Sequence, residues 1–190
     1  MAVNLEKGQR ISLEKEAGKL LTKIVMGLGW DAAKKGFFSS GGGSIDLDAS
    51  CVMFGPNKEH KDTVWFRQLK SKDGSIVHTG DNLTGEGEGD DEQIIVQLDK
   101  VPADVATLVF TVNSFRGQTF KNVANAYCRI VDNSTQTEIA RYNLSGGHNN
   151  TGMIMAKVYR HGGEWKMHAL GEPASGRTFN DLMPAIQNFL

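Results

Sequence analysis

From Ile45 the chain alternates strictly: Ile45, Leu47, Ala49, Cys51 and Met53 are apolar, while Asp46, Asp48 and Ser50 between them are polar. A period of two is the mark of a strand, whose successive side chains leave on opposite faces. This predicts a half-buried strand with Asp46 and Asp48 on its non-core face, their Cα atoms about 7 Å apart. Two carboxylates so spaced can reach toward ions held by a neighbouring loop.

The rest of the chain repeats the β theme in short pieces. Residues 9–13, 23–30, 64–69, 93–98, 106–113, 126–131, 138–144, 153–159 and 165–170 are rich in apolar and β-branched side chains and read as strands. A turn at 72–75 returns the chain as 76–78, predicting a hairpin. Residues 118–125 suit a helical turn. At the C-terminus Phe179, Leu182, Met183, Ile186 and Phe189 fall at helical spacing, with Pro184 placed to kink or shorten the helix. Many short strands with few helices predict a mainly β fold, a β-sandwich of two sheets with a few short helices at its ends. With 190 residues, 39% of them hydrophobic, one domain over 1–190 can bury a sizeable core. The Gly/Ser-rich segment 34–44 is expected to be a flexible inserted loop, carrying Phe37 and Phe38.

Charge narrows the function. A net charge of -1 argues against the broad positive field that sequence-independent nucleic-acid binding needs. Within that near-neutral total, Asp81, Glu86, Glu88, Asp90, Asp91 and Glu92 crowd among Gly85, Gly87 and Gly89, and no base interrupts them. Such a loop repels itself unless a multivalent cation sits among its oxygens. The EF-hand template fails: Leu83 and Gly85 occupy its third and fifth positions, and the flanks are strands. Calcium still fits, because it accepts six to eight oxygens in flexible geometry, and Asn82, Thr84 and loop carbonyls can join the carboxylates. No stretch reads as a membrane span or a signal peptide, so a cytoplasmic protein is expected. Cys51 and Cys128 sit among alternating apolar residues, as inward-facing thiols would.

Together, Gly27-Leu28-Gly29-Trp30-Asp31, then Asp46-Leu47-Asp48-Ala49-Ser50, then the run from Gly80-Asp81-Asn82 through Gly89-Asp90-Asp91-Glu92 resemble the successive signatures of the TerD family of tellurium-resistance and stress proteins. The likeness extends to Ala140-Arg141-Tyr142 and to the segment from Tyr159 to Trp165. It implies a β-sandwich with two adjacent Ca2+ ions, working with other stress-response or tellurite-resistance proteins, in part at the membrane face. Carried onto this chain, it implies Asp31, Asp46, Asp48, Asp81, Asp90, Asp91 and Glu92 as ligands, with Asn82 assisting. Where the family has Gly-Asp-Gly, this chain has Gly87-Glu88-Gly89, which leaves Glu88 without an assigned role.

A metal-dependent hydrolase or phosphoryl-transfer enzyme is the alternative use of such a cluster. The sequence offers it no identifiable nucleophile. His60, His78, His148, His161 and His168 show no metal-ligand spacing, and His78, nearest the loop, is expected to be structural. Reduction of tellurite would need reactive thiols, which two buried cysteines do not supply.

Overall fold

The computed structural model describes residues 2–32, 46–80, 89–144 and 148–190, without the side chains of Asp31, Ala32, Asn122 and Ala124. The expected inserted loop, Phe37 and Phe38, and the loop residues Asp81, Asn82, Glu86 and Glu88 lie outside the described residues.

Among the described residues twelve strands form two six-stranded sheets. In the first, β1 (Val3–Leu5), β10 (Thr137–Asn143), β9 (Val123–Asp132), β3 (Lys23–Ala32), β7 (Glu92–Gln97) and β6 (Ile76–His78) lie side by side in that order. The second runs β2 (Arg10–Ser12), β12 (Glu164–Ala174), β11 (Gly152–His161), β8 (Thr107–Asn113), β4 (Asp48–Phe54), β5 (His60–Val64). Only the β1–β10 pair among the described ladders is parallel. The inner faces meet in one core, where Ile24, Met26 and Leu28 of β3, Ile94 and Val96 of β7 and Cys128 and Ile130 of β9 face Cys51, Met53, Leu108, Phe110 and Met155. The mainly β two-sheet architecture expected from the sequence is therefore present, including the alternation that sends Leu47, Ala49, Cys51 and Met53 inward.

Two expectations differ. The strand β4 is buried on both faces rather than half-buried. Its outward Val52 and Phe54 join Val109, Ile154 and Leu170 in a second apolar cluster, covered by Phe179, Leu182 and Ile186 of helix α2 (Phe179–Ile186). Residues 64–69 do not form a strand: Trp65 and Gln68 close a tight turn on each other, and the strand lies earlier, as β5. The expected hairpin at 71–76 does form, with Lys70 bridged to Val77, the Ser71 N–H donating to the Ile76 carbonyl and the His78 N–H to the Leu69 carbonyl; it lies where the chain passes from β5 of one sheet to β6 of the other. Helix α1 (Leu13–Ala17) was not expected. Ser12 Oγ accepts from the Lys15 N–H at 3.3 Å at its start, and Gly18, at φ 67°, ends it in the left-handed conformation that glycine adopts without strain.

The C-terminal helix forms where its periodicity places it. Asp181 Oδ2 accepts from the backbone N–H groups of Arg177 and Thr178 at its start. Two residues beyond Pro184 the α-helix gives way to a 3-10 turn over Gln187–Phe189.

Candidate metal centre

The antiparallel ladders bring the end of β3 and the starts of β4 and β7 to one end of the sandwich: Leu28 pairs with Glu92, and Asp48 with Asn113 at the end of β8. The acidic run enters β7 here. Glu92, 1% exposed, reaches from the first sheet to the second, where its Oε2 accepts from the Ala49 N–H at 2.6 Å. The same oxygen lies 3.3 Å from Nε2 of buried His78. His78 Nδ1 accepts from the Gly80 N–H at 3.1 Å, which leaves Nε2 as the ring nitrogen on the side of Glu92. The ring is enclosed beside the carboxylate, and Nε2 makes no hydrogen bond among the described residues.

Asp46 and Asp48 stand at the β4 start, 5% and 6% exposed, so the face expected to be open is nearly closed. Arg116 Nε is 3.0 Å from Asp46 Oδ2, and Gln118 Oε1 accepts from the Asp46 N–H at 3.3 Å. The segment 114–118 thus grips the β4 start, a role invisible in its sequence. Asp91 ties β7 to β3 twice: its N–H donates to the Leu28 carbonyl, and its Oδ2 accepts from the Trp30 N–H, both at 2.8 Å.

Asp90 is held differently. Its carboxylate lies over Gly27, where a Cβ would stand 2.1 Å from Oδ2. Arg129 grips it through Nε at 2.7 Å and Nη2 at 3.1 Å, and Gln93 Nε2 donates to it at 3.1 Å. Glu138 receives Arg129 Nη1 and, in two bonds, Arg141, whose guanidinium carbon lies 4.0 Å from the centre of the Tyr127 ring. Hydrogen bonds donated to Asp90 keep the Arg129 guanidinium firmly protonated, while burial and then the Asp90 charge push the Tyr127 phenol above its ordinary value.

Asp31 lies in β3 opposite Ala124, its side chain not described, and Asp81 and Asn82 lie outside the described residues. The structure thus gathers Asp46, Asp48, Asp91 and Glu92 at one end and commits Asp90 to Arg129. Among the described residues no three His, Cys, Asp or Glu side chains group closely enough to hold a metal by themselves. The donors are hard oxygens, the chemistry that suits calcium or magnesium rather than zinc or copper. The acidic run adjoins Asp90, Asp91 and Glu92 in sequence.

Both cysteines are unbridged and buried. Burial, then the charge of Asp62, pushes the Cys51 thiol far up, and burial lifts Cys128 to about 12, so neither is a thiolate at neutral pH. Trp165 is in the core, and Trp65 packs edge-on against Phe179.

A two-sheet sandwich with oxygen donors collected where its loops enter defines a class of scaffold rather than a chemistry. The TerD domain profile matches residues 1–185, and the chain belongs to the TerD family. It is 49% identical over 184 residues to the tellurium resistance protein TerZ of Serratia marcescens, covering 95% of this chain and 94% of that one. Identity to the stress response protein SCP2 of Bacillus subtilis (strain 168) is 46% over 197 residues, covering 96% and 98%. The fold is similar to that of a homologue of telluride resistance protein (TerD) from Streptomyces coelicolor A3(2), with TM-score 0.69, 18% identity and coverage of 88% and 98%. The family's named relatives are thus resistance and stress-response proteins. No helix among the described residues is long and apolar enough to cross a membrane.

Proposed function

We propose that the chain is a non-enzymatic calcium-binding protein of the tellurite-resistance and stress-response system. Two adjacent Ca2+ ions sit between the strand-end carboxylates and the acidic run, and the ordered surface engages other stress-response proteins. The observation that carries this reading is the burial of Asp46, Asp48 and Glu92 at one end of the sandwich, beside Asp91 and the glycine-acid run. Carboxylate oxygens held at strand ends are hard donors of the kind calcium takes, and a rigid scaffold favours tight binding. Asp46, Asp48, Asp91 and Glu92 would hold calcium from the sandwich side, with Asp31, Asp81 and Asn82 completing the donors. Asp90, engaged by Arg129, acts as a frame for the start of β7. When bound, the ions neutralise these carboxylates and keep the loop entry ordered. The cytoplasm, where free calcium is scarce, requires sub-micromolar affinity, which many carboxylates on a rigid scaffold favour. A metal-dependent hydrolase draws no support from His78, which is enclosed and turned to Glu92.

Calorimetric titration of calcium tests the proposal. The expected result is two ions per chain, with Asp48→Asn losing at least one, and Asp90→Asn keeping both while being less stable. Wild-type protein that takes up no calcium overturns it.

A further inference from the structure

The outer face of the second sheet is divided. α2 and the turn after it cover one part, whereas the part where β2, β12 and β11 run side by side is open. Strand register fixes which side chains meet there. Arg10 stands opposite His168 and His168 opposite Lys157; in the next row Ser12 stands opposite Lys166 and Lys166 opposite Tyr159. A groove of about 520 Å³ runs over these rows, lined by Arg10, Lys15, Lys157, Tyr159, His161 and Lys166.

Four lining residues, Arg10, Lys15, Lys157 and Lys166, are basic, in a chain whose net charge is -1. Among the described residues, none of the four is ion-paired, whereas Lys19, Arg116, Arg129 and Arg141 each have a carboxylate. The nearby acids are turned to other work: Glu164 accepts from Ser12 Oγ, and Glu14 from the Trp165 N–H. Like charges in adjacent strands oppose folding. Burial, then the charges of Arg10 and Lys58, lowers the Lys157 pKa, and burial, then Arg10 and Lys157, lowers that of His168. Lys157 Nζ donates to the Phe189 carbonyl and lies 5.1 Å from the centre of the Tyr159 ring, so this cation is held in place below the groove rim.

We propose that this groove binds a small soluble ligand carrying two or more phosphates, seated on Arg10, Lys166 and Lys157 with Tyr159 beneath it. Its volume falls in the range of small-molecule sites. Cations spread over two rows of a strand face beside α1, with only Lys157 tied to the C-terminal turn, suit a small ligand that reaches between them better than a flat bilayer surface. The site is separate from the metal centre: β11 starts beside Asn113, at the metal end, and reaches Tyr159 and His161 at the other. Its test therefore stands or falls apart from the calcium reading.

Tripolyphosphate is titrated into protein dialysed free of calcium, followed by calorimetry. One binding event is expected, weakened about tenfold or more by Arg10→Gln and by Lys166→Gln, as loss of a charge-assisted contact implies. Lys166→Arg should retain it, and Lys100→Gln, at an exposed lysine elsewhere, should leave it unchanged. Melting temperatures of the Gln variants should stay level or rise, because repulsion is relieved; a fall would make these cations structural and overturn the proposal. So would absence of binding, equal weakening by Lys100→Gln, or co-sedimentation with phosphatidylglycerol vesicles that tripolyphosphate does not displace, which would assign the patch to a lipid surface.

Discussion

Asp90 and Asp91 are neighbours in sequence with different partners: Arg129 and Gln93 hold the first, and the Trp30 N–H binds the second. Arg129 is 39 positions from Asp90, so nothing local in the acidic run distinguishes the two aspartates. Gly27 is the one hint along the chain, since only a residue without a Cβ leaves room for the carboxylate above it. Replacing Arg129 by Met strands a carboxylate that is 1% exposed. We expect Arg129→Met to lose about 3–5 kcal/mol in urea unfolding, with the calcium stoichiometry unchanged. Arg116 and Gln118 escaped the sequence reading for the same reason. Arg116 meets the Asp46 carboxylate and Gln118 accepts from the Asp46 N–H, a residue some 70 positions earlier at the start of β4.

Among the elements, α2 decides the character of β4. The alternation from Ile45 to Met53 correctly identifies a strand with an apolar inner face, yet the outer face is closed by a helix that begins 125 residues after Phe54. No local pattern carries that information. Leu182, 1% exposed, is its buried centre, and Leu182→Ala should cost about 2–5 kcal/mol by leaving a cavity under the helix; thermal unfolding measures it. The aromatic run at 64–69 misled because Trp65 and Phe66 pack edge-on against Phe179 and Phe115, not across a ladder. The turn from β9 to β10 is set by Asp132. Burial alone would raise its pKa, but the Lys19 ammonium and donors from Ser134 and Thr135 outweigh that and hold it below the ordinary carboxylate range. A depressed folded pKa contributes stability above the unfolded value of about 4 and loses it as pH falls toward the folded value. Asp132→Asn should therefore be less stable than wild type at pH 7, with the gap closing below about pH 4; melting curves across that range check it.

At the scale of the whole molecule, calcium and folding are coupled if the ions bind only the assembled sandwich. Each site should then add about 2.7 kcal/mol at a hundredfold excess over its dissociation constant, and the melting temperature should fall when a chelator replaces calcium. Equal melting temperatures in both conditions would contradict that coupling. The sequence by itself determined the β class, the inward set of apolar side chains, the C-terminal helix and the oxygen-rich chemistry of the acidic run, because each depends on spacing within a few residues. Tertiary structure alone decided that both faces of β4 are buried, that His78 is enclosed beside Glu92, and that Asp90 belongs to Arg129. It also decided that Arg10, Lys157 and Lys166, scattered over more than 150 positions, share one groove. These are contacts between distant strands, and strand order and register, not local periodicity, determine which side chains meet.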